Sequence, residues 1–192
     1  MTPLSESETH TRLGELLAHV APTNTKAIER EFATALQEQP AYPPAIVGMG
    51  LLRDLQHQTD QADGYYEQAM ALDPGGYLAP YRYAHSRLAR LPLNSVDTPR
   101  EELDRIRALF ERALRANHDF GDALFGFGLT YLHEPEYEPG GLDALAKAHR
   151  LLPARLDVTA ALALLYVKKG DIENAEALLA RLRRGQPRPE RD

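Results

Sequence analysis

Apolar residues recur along most of the chain at steps of three and four, the spacing that places them on one face of an α-helix. Five segments share one arrangement, in which apolar or small residues are separated by four and then three positions, and a helix-ending residue follows five positions later. The five sets are Ile28, Phe32, Ala35 and Pro40; Ala62, Tyr66, Ala69 and Pro74; Ile106, Phe110, Ala113 and His118; Gly141, Leu145, Ala148 and Pro153; and Ala175, Leu179, Leu182 and Pro187. Pro40 and Pro74 lie 34 positions apart, as do Pro153 and Pro187. Since proline stops a helix, each set predicts the end of a helix.

A second arrangement precedes these segments and pairs a large apolar residue with a small one. The pairs are Leu13 with Gly14, Met49 with Gly50, Phe127 with Gly128 and Leu162 with Ala163. The small residue lets a second helix approach closely, while the large one fills the groove beside it. In the segment that begins near Tyr77, His85 stands at the small position, after Ala84, and we interpret it as a structural histidine within the helix packing.

Together the two arrangements resemble the tetratricopeptide repeat, whose signature W-x₂-L-G-x₂-Y…A-x₃-F…P spans about 34 residues. The chain has no Trp, and Ile46, Tyr81, Leu124 and Thr159 take that position. The resemblance implies an all-α fold, an α-solenoid of about five antiparallel helix pairs in a right-handed superhelix whose first helices line a concave groove. It implies one array over residues 1–184, with units at about 5–40, 41–74, 77–118, 120–153 and 154–187, and a polar tail at 185–192.

We predict ten helices, and polar residues at several of the predicted starts can cap the free backbone N–H groups. The predicted caps are Ser5, with Glu8 completing a capping box; Thr25; Asp60; Thr98, with Pro99 and Glu101 in the first turn; and Asp171, after the turn residue Gly170. The third unit exceeds the 34-residue period by about ten residues, and this insertion is centred on 91–97, between the two helices of the unit. After the last helix there is only the polar tail, so Ala177, Leu178 and Ala180 are expected near an open end.

Composition excludes several classes of protein. The chain has no Cys, so it holds no disulfide, thiolate metal site or Cys nucleophile. Its net charge of −6 disfavours nucleic acid, and it has no apolar run long enough to span a membrane. No signal peptide is visible, so we expect a cytoplasmic protein. Among the 22 basic residues 18 are Arg, which together with abundant Ala and Leu favours a bacterial source with a GC-rich genome.

Three local clusters invite a functional interpretation, and for each we favour a structural one. Seven Arg residues between positions 87 and 115 form either a basic patch or, as we favour, a solvated helix face with paired acids. His133 with Glu134, Glu136 and Glu138 is interpreted as a solvated acidic loop and not as a metal site. Gly48-Met49-Gly50 and Gly126-Phe127-Gly128 look like the start of a phosphate-binding loop, but each lies in the middle of a predicted helix, so we favour helix packing. Gly48 and Gly126, which lie outside the repeat signature, are expected to leave the groove wall without a side chain.

The predicted first helices at 45–52, 122–132 and 156–167 are apolar nearly all round, as expected of helices buried on several sides. By the resemblance, the concave strip holds Val47, Leu51, Arg82, Ser86, Phe125, Leu129, Ala160 and Leu164. We therefore predict a non-enzymatic scaffold that binds an apolar or amphipathic protein segment, without cofactor, metal or catalytic residue. The alternative is a self-associating or accessory module of a larger protein or assembly, with a homodimer as one form.

Overall fold

A computed structural model describes residues 4–91 and 98–185, and these segments form ten α-helices and no strand. The helices are α1 (Glu6–Val20), α2 (Thr25–Glu38), α3 (Pro43–Leu55), α4 (Thr59–Leu72), α5 (Leu78–Ala89), α6 (Arg100–Ala116), α7 (Gly121–Thr130), α8 (Gly140–Leu151), α9 (Leu156–Lys169) and α10 (Ile172–Gly185). The all-α prediction and the count of ten helices are confirmed. No helix in the described segments is both long and apolar enough to cross a bilayer.

The chain divides into two compact units, Met1–Ser86 and Arg87–Asp192. In the first unit α1 packs against α2, α3 packs against α4, and α2 also packs against α3. In the second unit α7 packs against α8 and α9 against α10, while α6 contacts α7 and α8 contacts α9. Each of these contacts joins helices that follow one another in the chain, as short connections favour. The division of the sequence into five repeats stays a prediction.

Aromatic side chains of the second helices form the centre of the packing. Phe32, Tyr66 and Phe110 are at most 1% exposed. A Cβ atom built at Gly14 or Gly48 would lie 2.6 or 2.2 Å from the ring of Phe32, far inside van der Waals contact. The ring of α2 therefore occupies the space that absent side chains leave on α1 and on α3.

Gly126 repeats this contact in the second unit, where its Cβ would lie 2.4 Å from the ring of Phe110. From the sequence we expected Gly48 and Gly126 to leave the groove wall open. They do not, because a neighbouring aromatic ring fills each gap. Gly50 and Gly128 are the small residues of the repeat signature, and the side chains of Tyr66 and Leu145 fill the space beside them in the same way.

Two of the predicted helix caps are confirmed. The Ser5 hydroxyl accepts a hydrogen bond from the Glu8 amide at 3.1 Å, and Asp171 accepts one from the Asn174 amide at 3.3 Å. Gly170 precedes that cap with a φ of 83°, a left-handed conformation that favours glycine.

The other predicted caps are wrong by one or two positions. Asn24 caps α2 in place of Thr25, with its side chain 3.4 Å from the Ala27 amide. Helix α4 begins at Thr59 after Gln58, so Asp60 lies within its first turn. Helix α6 begins at Arg100, with Pro99 at the cap position, one residue after the predicted Thr98. The insertion predicted at 91–97 and the tail after 185 lie almost entirely outside the described residues.

A buried carboxylate joins the first two helices. Glu31 on α2 is 4% exposed, and its Oε2 atom lies 2.8 Å from Nδ1 of His10 on α1. Arg30 donates to the other carboxylate oxygen at 2.9 Å. The hydrogen bond from His10 is the largest cause that holds the pKa of Glu31 below its ordinary value of 4.5, against the opposing effect of burial.

We expect Gly48→Ala to lower the free energy of unfolding by about 1–3 kcal/mol, because the added methyl group overlaps the buried ring of Phe32. Gly64→Ala is the matched control: Gly64 lies inside α4 with nothing within 4 Å of an added Cβ. Alanine favours a helix over glycine, so this control should stabilise the protein by about 0.5–1 kcal/mol. Urea unfolding measures both, and equal effects would contradict the packing role of Gly48.

The pKa of Glu31 gives a second prediction, on acid stability. A carboxyl group whose pKa is lowered by folding stabilises the protein above its unfolded pKa, and this contribution is lost as pH falls through the folded pKa. The difference in unfolding free energy between wild type and Glu31→Gln should therefore be constant above about pH 5 and shrink below pH 4.5. Urea unfolding from pH 3 to 6 measures it, with Glu38→Gln, at an exposed position of the same helix, as the control. A difference that grows on acidification would contradict the assignment.

Candidate peptide-binding surfaces

The first helices of the first unit offer little apolar surface at the predicted positions. Val47 on α3 is only 3% exposed, and Leu51 on the same helix is half-buried. On α5, Ser86 is 8% exposed and its hydroxyl donates to Asp54 Oδ1 at 2.7 Å. The other oxygen of Asp54 accepts from the Tyr66 hydroxyl at 2.7 Å. Ser86 thus joins α5 to α3 and does not offer its side chain to a ligand, which corrects the prediction.

The position assigned to His85 is also wrong. Its side chain is exposed, whereas Ala84 is completely buried and takes the small position of the helix packing. The assignment in α5 is therefore displaced by one residue. The corresponding outward positions become Tyr81 and His85, whose ring centroids lie 6.0 Å apart.

A constant spacing in the sequence carries the signal for this correction. Ile46 lies six positions after Pro40, and the same spacing from Pro74 leads to Pro80 and not to Tyr81. Pro80 is buried, as Ile46 is. A proline at a position that is otherwise large and apolar obscures the pattern. Arg82, one residue beyond Tyr81, is half-buried with its guanidinium 5.7 Å from the Tyr81 ring centroid.

The second unit presents a more apolar surface on α7 and α9. Phe125 and Leu129 of α7 are half-buried and pack beside a core cluster that includes residues of α9. On α9 itself, Leu164 is 56% exposed and Ala160 is half-buried. The four second-unit residues predicted from the sequence therefore lie on two helices that share one core.

Two further residues of α9 lie on this surface and were not among the residues predicted from the sequence. Leu156 is 57% exposed and Val167 is 49% exposed. With Ala160 and Leu164 they follow steps of four, four and three, so the four side chains lie along one face of the helix. We call Leu156, Ala160, Leu164 and Val167 the α9 stripe. The spacing was the signal that could have found it.

A charged rim borders the stripe at the start of α9. The Arg155 guanidinium lies 4.9 Å from the Phe125 ring centroid and pairs with both Asp122 and Asp157. Hydrogen bonds from Arg155 are the largest cause that holds the pKa of Asp157 below its ordinary value. One face of the Phe125 ring is thereby covered by a cation whose charge is already balanced.

Buried polar contacts fix the loop between α7 and α8. Arg107 of α6 donates to Glu134 Oε1 at 2.6 Å and to the Thr130 hydroxyl at 2.9 Å, and its guanidinium lies 4.1 Å from the centroid of the Tyr131 ring. Arg107 and Glu134 are 7% and 6% exposed. Glu134 is thus not part of a solvated acidic loop, and Arg107 is not part of a solvated helix face. Both predictions are wrong here because the ion pair joins residues 27 positions apart, beyond any local spacing.

Lys168 of α9 ties the same loop to the stripe. Its amino group donates to the carbonyl oxygens of Tyr131, Leu132 and Glu134, the first two at 3.2 and 3.4 Å. Burial is the largest cause that lowers the pKa of Lys168, and burial also lowers the pKa of His133 in this loop. A cation near the last carbonyl groups of α7 stabilises that helix end. The contacts hold α7 and α9 in a fixed relation, so the surface between them is preformed.

Arg105 does form the ion pairs that a solvated helix face predicts, since it lies 3.8 Å from Glu101 and 3.9 Å from Glu102 on the same helix. Arg87 also pairs with Glu102, at 2.8 Å, but this partly buried contact joins α5 to α6 over 15 positions and is not a contact within one helix face. Within the described segments, no group of three or more acidic or His side chains is arranged to hold a metal ion.

A shallow cavity of about 280 Å³ lies between α8, α9 and α10. Leu162, Tyr166 and Leu178 contribute to its lining. Leu178 is 9% exposed, whereas Leu179 is 39% exposed. The repeat pattern predicts Leu178 near an open end and Leu179 inside the packing, and the structure reverses the two.

We expect Arg107→Leu to lower the free energy of unfolding by about 3–5 kcal/mol, because it leaves the buried carboxylate of Glu134 without its cation. Arg105→Leu is the control, since the side chain of Arg105 is 67% exposed and an exposed ion pair contributes about 0–1 kcal/mol. Urea unfolding of the two variants measures the difference. Equal losses would show that the Arg107 pair is no stronger than a surface pair.

The sequence matches no protein-family model and no curated protein. Solved structures are similar to it in fold. TTC0263, a thermophilic TPR protein of Thermus thermophilus, aligns over 95% of this chain and 92% of its own with a TM-score of 0.71 and 20% identity. Pseudomonas aeruginosa pilF aligns over 96% of this chain and 78% of its own with a TM-score of 0.76 and 16% identity.

A third similar structure is YrrB, described as a TPR protein with an unusual peptide-binding site. It aligns over 93% of this chain and 86% of its own with a TM-score of 0.63 and 18% identity. At these identities the likeness concerns the fold. The helix pairs, the buried small residues and the aromatic positions described above therefore belong to the tetratricopeptide repeat fold.

Proposed function

We propose that this chain is a protein–protein interaction module without catalytic activity, and that the α9 stripe with Phe125 and Leu129 binds an apolar or amphipathic peptide segment. Structures of the same fold suggest an interaction module. The proposal that a peptide binds at the α9 stripe rests on one observation. Leu156, Leu164 and Val167 lie along one helix face, and each side chain is about half exposed or more.

The arrangement of this surface fits an amphipathic helix better than a charged segment. Leucine and valine side chains at steps of four and three present a continuous apolar strip, and a partner helix with the same spacing can lay its apolar face along it. Burying one such side chain completely stabilises a complex by about 1.5–3 kcal/mol. The neighbouring Arg155 is already paired with Asp122 and Asp157, so the rim offers no uncompensated charge to an ionic ligand.

The rigidity of the supporting helices also favours binding. Lys168 and Arg107 fix the loop that follows α7, and Phe125 and Leu129 rest on the buried core of α8 and α9. A preformed surface loses less conformational entropy on binding than a mobile one. YrrB, which has the same fold, is described as having a peptide-binding site, and this supports the class of partner.

The first unit contributes fewer candidate contacts to this function. Leu51 and Arg82 remain proposed contacts, since both are half-buried, and Tyr81 and His85 join them at the corrected positions in α5. Val47 and Ser86 are buried and leave the proposal. The main determinants are thus those of α7 and α9.

We expect Leu164→Asp to weaken peptide binding at least tenfold, because it places a charge in the middle of the stripe and burying an unpaired charge costs about 1.4 kcal/mol or more. A peptide selected by phage display against the wild-type chain and labelled with a fluorophore serves as the probe. Fluorescence anisotropy gives its dissociation constant, and circular dichroism verifies that the variant is folded.

Leu151→Asp is the matched control. Leu151 ends α8 and is 41% exposed, outside the stripe, so its replacement should leave binding unchanged. Selected peptides that bind Leu164→Asp as tightly as wild type would show that the stripe is not the site. A failure to select any binding peptide would count against the proposed class of partner.

A further inference from the structure

Helix α1 exposes residues whose counterparts elsewhere in the chain are buried. Counted from the small residue of each first helix, Leu16 of α1 corresponds to Leu52 of α3 and Leu165 of α9. Leu52 and Leu165 are completely buried, whereas Leu16 is 56% exposed. Leu13 shows the same contrast: it is 41% exposed, whereas its counterpart Met49 is 7% exposed.

The preceding second helix explains this burial in the interior of the chain. Leu52 and Met49 lie in one core cluster with Ile28 and Phe32 of α2. Leu165 likewise lies in a cluster with Leu145 of α8. By this correspondence, Leu13 and Leu16 form a surface on which a preceding second helix would pack. No helix among the described residues covers it.

Helix α10 shows the opposite half of the same contact. Leu179 corresponds to Phe32 of α2 and to Leu145 of α8 in the repeated arrangement. Both of those side chains are completely buried, but Leu179 is 39% exposed. Phe32 is covered partly by the following first helix, through Gly48. Within the described part of the chain no first helix follows α10 to cover Leu179, and α1 of another chain can supply that cover.

We propose that a second copy of this chain packs end to end on the first, with α10 of one copy lying against α1 of the other as α2 lies against α3. Leu179 of one copy then contacts Leu13 and Leu16 of the next. The proposal goes beyond peptide binding and concerns different residues from those of the α9 stripe.

Charge favours this pairing of unlike ends over a pairing of like ends. By sequence, α1 holds three Glu and one Arg, a net charge of −2, and α10 holds two Glu and three Arg, a net charge of +1. Two α1 helices face to face would bring like charges together, whereas α1 against α10 brings opposite charges together.

Arg12 of α1 is larger than its counterparts in α3 and α9, and Leu179 is correspondingly smaller than Phe32. Arg12 stands where α3 has Gly48 and α9 has Ala161, and its guanidinium is held by Glu8 at 2.6 Å. Leucine is smaller than the phenylalanine of α2, so the aliphatic stem of Arg12 can lie beside it.

Since the two contacting surfaces differ, the association is heterologous, so further copies can add in the same way and form a ring if the rotation between copies closes or an open chain if it does not. The mass of the assembly then rises with concentration and can exceed that of a dimer. Opposite charges at the contact also make the association weaker at high salt.

Two variants of the full chain, each with one blocked surface, test the proposal by complementation. Leu16→Asp blocks α1 and leaves α10 intact, and Leu179→Asp does the reverse. Both side chains are exposed, so both variants are expected to fold, which circular dichroism verifies. Light scattering over a concentration series should give rising mass for wild type and monomer mass for each variant alone. An equimolar mixture should give a complex of twice the monomer mass, because one compatible pair of surfaces remains.

Leu72→Asp is the control for adding a charge at an exposed leucine, since Leu72 is 45% exposed and ends α4. It should associate as wild type does. Wild type that stays monomeric at all concentrations overturns the proposal. A dimer that survives in Leu16→Asp and is lost in Leu179→Asp also overturns it and indicates pairing of two α10 helices. Association that is lost only in Leu164→Asp overturns it too and assigns the second copy to the α9 stripe.

Discussion

The structure depends on the insertion of an aromatic ring into a gap that glycine leaves on a neighbouring helix. Phe32 fills the space beside Gly14 on one side and Gly48 on the other, and Phe110 contacts Gly126 in the same way. Close approach of the backbones follows from this contact, since no Cβ keeps the helices apart. Helix α3 packs against α1, α2 and α4, and its residues 45–50 are all buried.

The periodic part of this architecture could be predicted from the sequence. Steps of four and three, closed by proline, place Ile28, Phe32 and Ala35 on one buried face, and all three are completely buried. The same reasoning fails in α5, where Pro80 takes the place of a large apolar residue and displaces the assignment by one. A displacement of one residue turns a helix by about 100°, which is enough to exchange buried Ser86 for exposed His85.

Contacts between distant residues lay outside what the spacing could predict. Arg107 and Glu134 belong to an Arg-rich helix and to an acidic loop, and each looks solvated when only its neighbours in sequence are considered. The structure brings them together with Thr130 and Tyr131 as a buried ion pair, which joins α6 to the loop after α7 in the second unit. Of the candidate site, the positions on α7 and α9 could be predicted from the repeat, but the exposure of residues at both ends of the α9 stripe depends on which helices lie beside α9.

The contact between Phe32, Gly14 and Gly48 also constrains how the sequence can change over evolution. A larger side chain at either glycine is tolerated only with a smaller one at position 32, since cores accept exchanges that conserve total volume. The three positions belong to three different helices and are separated by 18 and 16 residues. Substitutions at the three positions are therefore expected to be correlated among related sequences, although the positions are far apart along the chain.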